Sequence, residues 1–359
     1  MAKSIPLAKP IITRAERRAV DRVLRSGNLA QGPEVAAFEK DFSNVVEGRE
    51  CVAVNSGTSA LHVALLALGI GPGDEVIVPS FTFAATANSV ALAGATPVFV
   101  DIDRETFNID PKGIERAITS RTKAIQVVHL YGLPANMNEV MKLAAQHKLR
   151  VIEDAAQAHL ASINGKPVGT FGDAAAFSFY PTKNMTSGEG GMIVFAEAEN
   201  ARIAKLLRNQ GMEKRYQNEV VGFNLRMTDI HAAIGRQQLR KLSTWTAKRQ
   251  ANAALLSSMI TEVTTPHIPA SYSHVFHQYT IRAPWNRDAF SARLNQVGIG
   301  NGVYYPTQVH KLPSFLREMT LPYTQSATEE VISLPVHPSL SKKDLTRIAD
   351  AVNTIARSF

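Results

Sequence analysis

Two residues in one stretch of the chain have side chains that could do chemistry together. Asp154 follows a short apolar run, 150–153, and Lys183 follows a second one, 174–179; both runs predict buried strands. In open α/β sheets, ligands bind in the crevice outside the carboxyl ends of the strands. An amine placed there can form a Schiff base with an aldehyde, and an acid can keep a pyridinium nitrogen protonated. The pair therefore suits pyridoxal phosphate (PLP), whose ring then acts as an electron sink.

Each of these residues also has a simpler interpretation. A lone lysine in a Ser/Thr/Gly loop is usually solvated, and a lone aspartate after a strand usually caps a turn or a helix. The interpretation as a PLP site therefore depends on a feature upstream. The polar turn 55–59 opens into the apolar run 60–68, and the free N–H groups and dipole at such a helix start attract an anion. A plain helix cap is the alternative for this turn.

Length and composition indicate a soluble globular enzyme. The chain has 359 residues, of which 45% are apolar and 19% charged, enough for one large domain and a smaller one. The single cysteine, Cys51, cannot form an internal disulfide and is predicted to be buried. We see no signal-peptide pattern and no apolar run long enough for a membrane helix. We therefore expect a cytoplasmic protein that does not interact with membranes.

The net charge of +8 and the pI of about 9.5 leave several partners open. No basic run, zinc finger or basic zipper is present, so we expect no nucleic-acid partner. The charge then reflects a solvated face, as on the predicted helix 13–25, or the steering of a phosphorylated substrate. No metal-spaced Cys/His cluster occurs, and we expect no metal. P-loop, dinucleotide-binding and hydrolase motifs are also absent.

Strand and helix patterns alternate along most of the chain, which predicts a mostly parallel sheet. Thr13 and Glu16 form a predicted capping box at the first helix. Phe83, near a strand end, could stack on a planar cofactor or simply pack in the core. The polar segment 211–226 is predicted to be an extended functional loop. We expect a large PLP-binding domain with an N-terminal helical arm over 1–240, and a small C-terminal α/β domain over 241–359.

A series of segments in one order closely resembles the DegT/DnrJ/StrS family of PLP-dependent nucleotide-sugar aminotransferases. The likeness covers nearly the whole chain, and its segments are NSGTSALHVAL, GDEVIVPSFTFAATAN, VFVDID, VHLYG, VIEDAAQAH, FSFYPTKN followed by GEGG, and GFNLRMTDIHAAIG. The resemblance implies an α/β fold of the aspartate-aminotransferase type (PLP fold type I), with a large, mostly parallel domain and a smaller C-terminal α/β domain. It also implies a homodimer with shared active sites.

The resemblance assigns roles to single residues. Lys183 falls on the lysine that is covalently linked to PLP and shuttles the substrate proton, and Asp154 falls on the partner of the pyridinium nitrogen. The other implied cofactor residues are Gly57 and Thr58 in the phosphate turn, Phe83 stacked on the ring, Gln157 near the ring hydroxyl, Ser178 at the phosphate, and Asn224, donated to the phosphate by the neighbouring subunit. Segments near the substrate contain His159, Glu189, Tyr305 and His310.

The implied reaction moves an amino group from glutamate, or glutamine, to a keto group of a nucleotide-linked deoxysugar. The wording GEGGM and GFNLRM favours amination at C4 over C3. One alternative is the family's PLP-dependent sugar dehydratase, in which a histidine replaces the lysine; Lys183 argues against it. Another is a non-catalytic PLP- or DNA-binding regulator, suggested by the high pI. An intact set of Asp154, Gln157 and Lys183 is hard to explain in a protein without turnover.

Overall fold

The computed structural model describes residues 4–283 and 286–359. The helices of this part of the chain are α1 Arg14–Ser26, α2 Pro33–Ser43, α3 Gly57–Ala67, α4 Ala85–Leu92, α5 Pro111–Ala117, α6 Met137–His147, α7 Ala198–Arg208, α8 Asp229–Met259, α9 Arg287–Gln296, α10 Pro322–Glu330 and α11 Lys342–Ala356. The strands are β1 Glu50–Val54, β2 Glu75–Pro79, β3 Thr96–Val100, β4 Thr122–Val128, β5 Arg150–Asp154, β6 Ser162–Ile163, β7 Lys166–Pro167, β8 Ala174–Ser178, β9 Gly191–Phe195, β10 Met212–Lys214, β11 Gln217–Asn218, β12 Tyr272–Ser273, β13 Tyr279–Arg282 and β14 Val331–Leu334.

A seven-stranded sheet forms the centre of the molecule, with the strand order β1-β9-β8-β5-β4-β2-β3. The pairs along β8-β5-β4-β2-β3 are parallel, and β9 runs antiparallel to both of its neighbours. The predicted α/β fold with a mostly parallel sheet is therefore confirmed. Because the parallel strands end at one edge, Asp154 and Ser178 are carried to the same side of the sheet.

Helices cover the sheet because its strands are apolar on both faces. Every residue of β2, β8 and β9 is buried, as expected for strands covered on two sides. Helix α3 is apolar nearly all round and lies within the same core as Val52, Ile152 and Ile193. A helix of that pattern has no solvent face to satisfy. Its N-terminus is therefore held firmly at the carboxyl edge of the sheet.

A second core lies in the C-terminal part of the chain. The antiparallel pair β13–β14 packs with α9, α11 and the end of α8 around residues such as Tyr279 and Phe290. Helix α8 runs unbroken through the predicted boundary at 240/241. The two domains at that boundary stay a prediction.

Some local predictions from the sequence are confirmed by the structure, and one is wrong in part. Thr13 and Glu16 do form a capping box at α1, and Cys51 is buried. The predicted extended loop 211–226 is wrong in part, because it contains the short antiparallel hairpin β10–β11. That hairpin has few residues and no apolar alternation, so no strand period marks it. Among the residues described, no helix is long and apolar enough to cross a membrane.

Candidate active site

A cavity of about 410 Å³ opens at the carboxyl edge of the central sheet. Segments far apart in sequence form its wall, because connections from several parallel strands converge there. The residues that line it are Ser56, Gly57, Thr58, Leu61, Thr82, Phe83, Ala85, Val128, Asp154, Ala156, Gln157, Ser178, Tyr180, Thr182, Lys183, Glu189, His277, Gln278, Tyr304 and Tyr305. The same cavity is thus lined by Asp154, Lys183 and the two predicted phosphate-binding residues, Gly57 and Thr58.

Asp154 is the last residue of β5 and is buried in the cavity wall. Its Oδ2 accepts a hydrogen bond from Thr86 Oγ1 at 2.8 Å, and its Oδ1 accepts one from the Ala156 N–H at 3.2 Å. Burial raises the pKa of Asp154, while the Thr86 and Ala156 donors and the charge of Lys183 oppose that rise. Both donors favour the carboxylate over the acid, because a carboxylate only accepts hydrogen bonds.

Lys183 lies in the turn that follows β8, and its N–H donates to the carbonyl of Tyr180 at 2.9 Å. Burial lowers the pKa of Lys183 to about 8, against the opposing charge of Asp154. A lysine with its ordinary pKa is almost fully protonated at neutral pH and is then no nucleophile. Burial of Lys183 therefore increases the fraction of its amine that is neutral and reactive at neutral pH.

The turn between β1 and α3 has the form of an anion site. The Ser56 side chain caps α3 by accepting from the Ser59 N–H at 3.0 Å, which leaves the cavity end of the helix to Gly57 and Thr58. A Cβ at Gly57 would come within 2.7 Å of the Ser178 Cβ. Only glycine lets the start of α3 approach the end of β8 this closely, and the positive end of the helix then faces the cavity.

Aromatic and amide groups form another part of the cavity wall. Gln157 accepts at Oε1 from the Tyr131 N–H at 2.7 Å, so its Nε2 is directed to the Tyr305 hydroxyl at 3.0 Å. Burial raises the pKa of Tyr305, which keeps this phenol neutral. The ring of Phe83 lies 6.0 Å from that of Tyr305, yet 59% of Phe83 is exposed. Phe83 thus presents an uncovered aromatic face at the rim, and core packing does not account for it.

Two of the predicted substrate residues lie outside the cavity wall. His159 is buried between the rings of Phe177 and Phe179, at centroid distances of 5.3 and 5.7 Å, and burial lowers its pKa to about 3. His310 is buried and its Nδ1 is 2.6 Å from Ser80 Oγ. Glu189 and Tyr305, the other two predicted substrate residues, do line the cavity.

Asn224 does not line the cavity of its own chain, although the carbonyl of the adjoining Leu225 accepts from the Asn55 N–H at 2.9 Å, next to the phosphate turn. It is exposed and forms an isolated bridge with Asn209, close to the β10–β11 hairpin. A contact of Asn224 with a cofactor phosphate, in its own or in a partner subunit, stays a prediction.

Sequence patterns did not point to several cavity residues. His277 and Gln278 reach the wall because the Gln278 N–H donates to the carbonyl of Tyr131, a long-range contact without a local motif. Tyr304 comes from an equally irregular segment. Thr82 did carry a signal, since it closely follows the end of β2, and residues after strand ends face the ligand side of an α/β sheet.

The residues present fit PLP. One cavity holds a buried carboxylate that suits the ring nitrogen of PLP and an amine of lowered pKa that suits its aldehyde. The same cavity holds a helix N-terminus beginning with glycine, which suits the phosphate, and an exposed aromatic ring, which suits the ring face. Among the described residues, no group of three or more His, Cys, Asp or Glu side chains is placed to hold a metal.

A family model described as the DegT/DnrJ/EryC1/StrS aminotransferase family matches residues 10–353. The chain belongs to this family. It is therefore an aminotransferase, and the resemblance carried by the sequence motifs is confirmed.

Three proteins similar to this chain show how far the likeness extends. A Geobacillus stearothermophilus protein named a pleiotropic regulatory protein is 43% identical over 95% of this chain and 94% of its own length. A UDP-N-acetyl-3-dehydro-α-D-glucosamine 3-aminotransferase of Acidithiobacillus ferrooxidans is 44% identical over 97% and 94%. A Streptococcus pneumoniae protein described as a sugar aminotransferase, solved in a PLP form, has a TM-score of 0.94 at 28% identity over 99% of both chains. PLP is thus the cofactor of this aminotransferase.

Proposed function

We propose that this aminotransferase moves an amino group from glutamate to a keto group of a nucleotide-linked deoxysugar, with PLP bound covalently to Lys183. The observation that carries the proposal is the convergence of Asp154, Lys183 and the α3 phosphate turn in one cavity. The sugar substrate is supported by the named 3-aminotransferase relative, 44% identical over nearly the whole chain. C4 stays the predicted position of amination; that relative acts at C3.

Three elements would hold the cofactor. The N-terminus of α3, with Gly57, Thr58 and the nearby Ser178 hydroxyl, receives the phosphate, because helix N-termini bind anions. Asp154 at the end of β5 would hold the ring nitrogen. Phe83 would stack on one face of the ring, and Gln157 would contact the ring hydroxyl; both residues line the cavity. When bound, PLP supplies an aldehyde that condenses with amines and a ring that accepts the electron pair left by proton removal.

The protein's own contribution is to place one base and one anion. The Lys183 amine, with its pKa lowered to about 8, would move a proton between the substrate carbon and the C4′ carbon of the cofactor, in one direction in the half-reaction with glutamate and in the reverse direction in the half-reaction with the sugar. The two hydrogen-bond donors of Asp154 favour its carboxylate form, which would keep the ring nitrogen of bound PLP protonated. Glu189 and Tyr305, which line the cavity, are the proposed substrate contacts; His159 and His310 are placed to pack the core behind it.

Two observations support a homodimer with shared sites. Among the described residues, Lys183 is the only lysine or arginine that lines the cavity, although the substrate carries a diphosphate and the donor two carboxylates. The segment around β10–β11 exposes apolar side chains, with Tyr216 80% and Val221 91% exposed. A second copy seated on that segment would cover them and bring Asn224 to the partner's cofactor phosphate. A cytoplasmic location stays a prediction from the sequence.

The experiment is a panel of nucleotide-linked 3-keto and 4-keto deoxysugars incubated with the PLP-loaded enzyme and glutamate or glutamine. Mass spectrometry detects the gain of an amino group, and NMR of the product assigns its carbon. Lys183→Ala serves as the catalytic control, because it keeps the phosphate turn. Dehydration in place of amination would indicate the dehydratase alternative. The lack of any glutamate-dependent change in the cofactor's visible absorption would indicate a non-catalytic regulator.

A further inference from the structure

Two buried hydroxyl groups form a hydrogen-bonded row that ends at Asp154. Thr86 Oγ1 donates to Asp154 Oδ2 at 2.8 Å, and Thr82 Oγ1 lies 2.9 Å from Thr86 Oγ1. Neither threonine is more than 2% exposed. Buried hydroxyls are costly unless each is hydrogen-bonded, so this row of three groups is a built arrangement and not a chance contact at the surface.

The hydrogen bonds in this row have a fixed direction. A threonine hydroxyl has one hydrogen to donate. Thr86 uses its hydrogen on Asp154, which as a carboxylate has none to offer, so the bond between the two threonines must be donated by Thr82. The order is therefore Thr82 to Thr86 to Asp154. A proton on Asp154 Oδ2 would oppose this order, since Thr86 could no longer donate there.

The backbone of Thr86 is held in place from two sides. Its carbonyl accepts from Gln126 Nε2 at 2.7 Å and from Ser89 Oγ at 2.9 Å. Gln126 belongs to β4, the strand next to β5 in the sheet, and is fully buried. The backbone that carries the Thr86 hydroxyl is thus anchored to the central sheet.

We propose that Thr86, oriented by Thr82, is a positioning residue that holds Asp154 as a carboxylate toward the pyridine nitrogen of PLP. The proposal rests on the PLP-dependent function proposed above. Burial acts in the opposite direction by raising the pKa of Asp154, and the Thr86 hydroxyl is its strongest opposing influence, ahead of the Ala156 N–H and the charges of Lys183 and His129. Without that hydroxyl, the shared proton should move from the ring nitrogen toward Asp154.

The test replaces Thr86 by valine, which has the same shape without the hydroxyl, and by serine, which keeps the hydroxyl. The holoenzymes are loaded with PLP labelled with ¹⁵N in the ring, and the nitrogen shift is recorded by NMR. We expect Thr86→Val to move the signal toward the unprotonated position and to slow both half-reactions by about 10- to 100-fold, the usual effect of losing a hydrogen bond to a charged group. Thr86→Ser should stay close to wild type.

Further variants separate positioning from a merely structural role. In an Asp154→Asn background, Thr86→Val should leave the ¹⁵N shift unchanged, because its effect passes through the carboxylate. Thr82→Val should move the signal in the same direction as Thr86→Val, by less, and it keeps the proposal testable if Thr86→Val does not fold. An unchanged ¹⁵N shift in folded, PLP-loaded Thr86→Val, or an equal loss in Thr86→Ser, would overturn the proposal.

The same samples distinguish this proposal from the function on which it rests. If wild-type protein takes up labelled PLP and transaminates while Thr86→Val keeps a wild-type ¹⁵N shift, only the role of Thr86 fails. If wild-type protein does not form a covalent PLP adduct with Lys183, the proposed function itself fails.

Discussion

Asp154 and Lys183 act on each other across the cavity, and burial shifts both pKa values toward the neutral forms. The lysine amine is needed neutral to attack an aldehyde, whereas the aspartate must stay ionised. Only Asp154 has hydrogen-bond donors that oppose the effect of burial. Because of this difference in surroundings, one buried site can favour a neutral amine at Lys183 and a carboxylate at Asp154.

Lys183→Ala removes both the nucleophile and the proton carrier. The variant should fold and bind PLP non-covalently through the α3 turn, and its turnover should fall by at least about 10²–10⁴-fold, the usual contribution of a positioned base. Borohydride reduction followed by peptide mapping identifies the labelled lysine in wild-type protein. Lys142→Ala, on the exposed face of α6, is the matched control and should behave as wild type. A pyridoxyl label on any other lysine would contradict the assignment.

The lowered pKa of Lys183 predicts a pH dependence for cofactor capture. Below pH 8 the amine is increasingly protonated, so the rate at which the apoenzyme forms its covalent PLP adduct should fall about tenfold per pH unit. Above about pH 8 the rate should level off. Stopped-flow absorbance measures this rate. Asp154→Asn removes the charge that favours the ammonium form and should move the midpoint to lower pH; a midpoint near 10 in wild type would show that Lys183 is not desolvated.

For single residues, the sequence predicts site residues that follow strand ends. It does not predict those that long-range contacts bring to the cavity. Asp154 and Lys183 were found because apolar runs of strand length precede them. His277 could not be found, since only the docking of its loop against Tyr131 and Gly132 brings it to the wall. His310 shows the opposite error. It was predicted as a substrate residue from its position in the sequence, but its ring is buried against Ser80 and does not line the cavity.

Among the elements, the contact between the start of α3 and the end of β8 is the most demanding. Gly57→Ala would place a Cβ within 2.7 Å of the Ser178 Cβ, and overpacking of this kind costs about 1–3 kcal/mol. We expect α3 to be displaced from the cavity and PLP to bind about 5- to 100-fold more weakly, measured by equilibrium dialysis with the thermal midpoint followed in parallel.

A second substitution separates the clash from other effects of Gly57→Ala. Ser178→Gly removes the opposing Cβ and costs the phosphate one hydroxyl. The double variant Gly57→Ala/Ser178→Gly should therefore bind PLP as Ser178→Gly does, without the additional loss. If both losses simply add, the effect of Gly57→Ala does not come from this close approach.

Element prediction succeeded where local chemistry and periodicity agree and failed where pairing is long-range. The Thr13–Glu16 capping box predicts the start of α1, and the apolar runs predict the central strands. The antiparallel direction of β9 and the pairing of β13 with β14 depend on partners far along the chain, which no local pattern specifies. The β10–β11 hairpin is too short for any period to show.

For the whole molecule, the position of Asn224 raises the question of which subunit it serves. It is exposed and outside the cavity of its own chain, beside a hairpin whose apolar side chains are uncovered. In an isologous dimer, each subunit would lend its Asn224 to the other's phosphate site. Each site would then be incomplete in a monomer, and activity should fall on dilution below the dimer dissociation constant.

Mixing two impaired variants, Lys183→Ala and Asn224→Ala, under conditions that exchange subunits tests this arrangement. If Asn224 acts in the partner's site, a hybrid dimer has one site with both lesions and one site with neither. A random mixture of equal parts then contains about half hybrids, so about a quarter of all sites are intact and activity should recover to roughly that fraction of wild type. If Asn224 serves its own chain, every site in every dimer keeps one lesion, and activity stays at the average of the parents. Asn224→Ala must first be shown to lower PLP affinity on its own, with Asn138→Ala on the exposed face of α6 as the matched surface control.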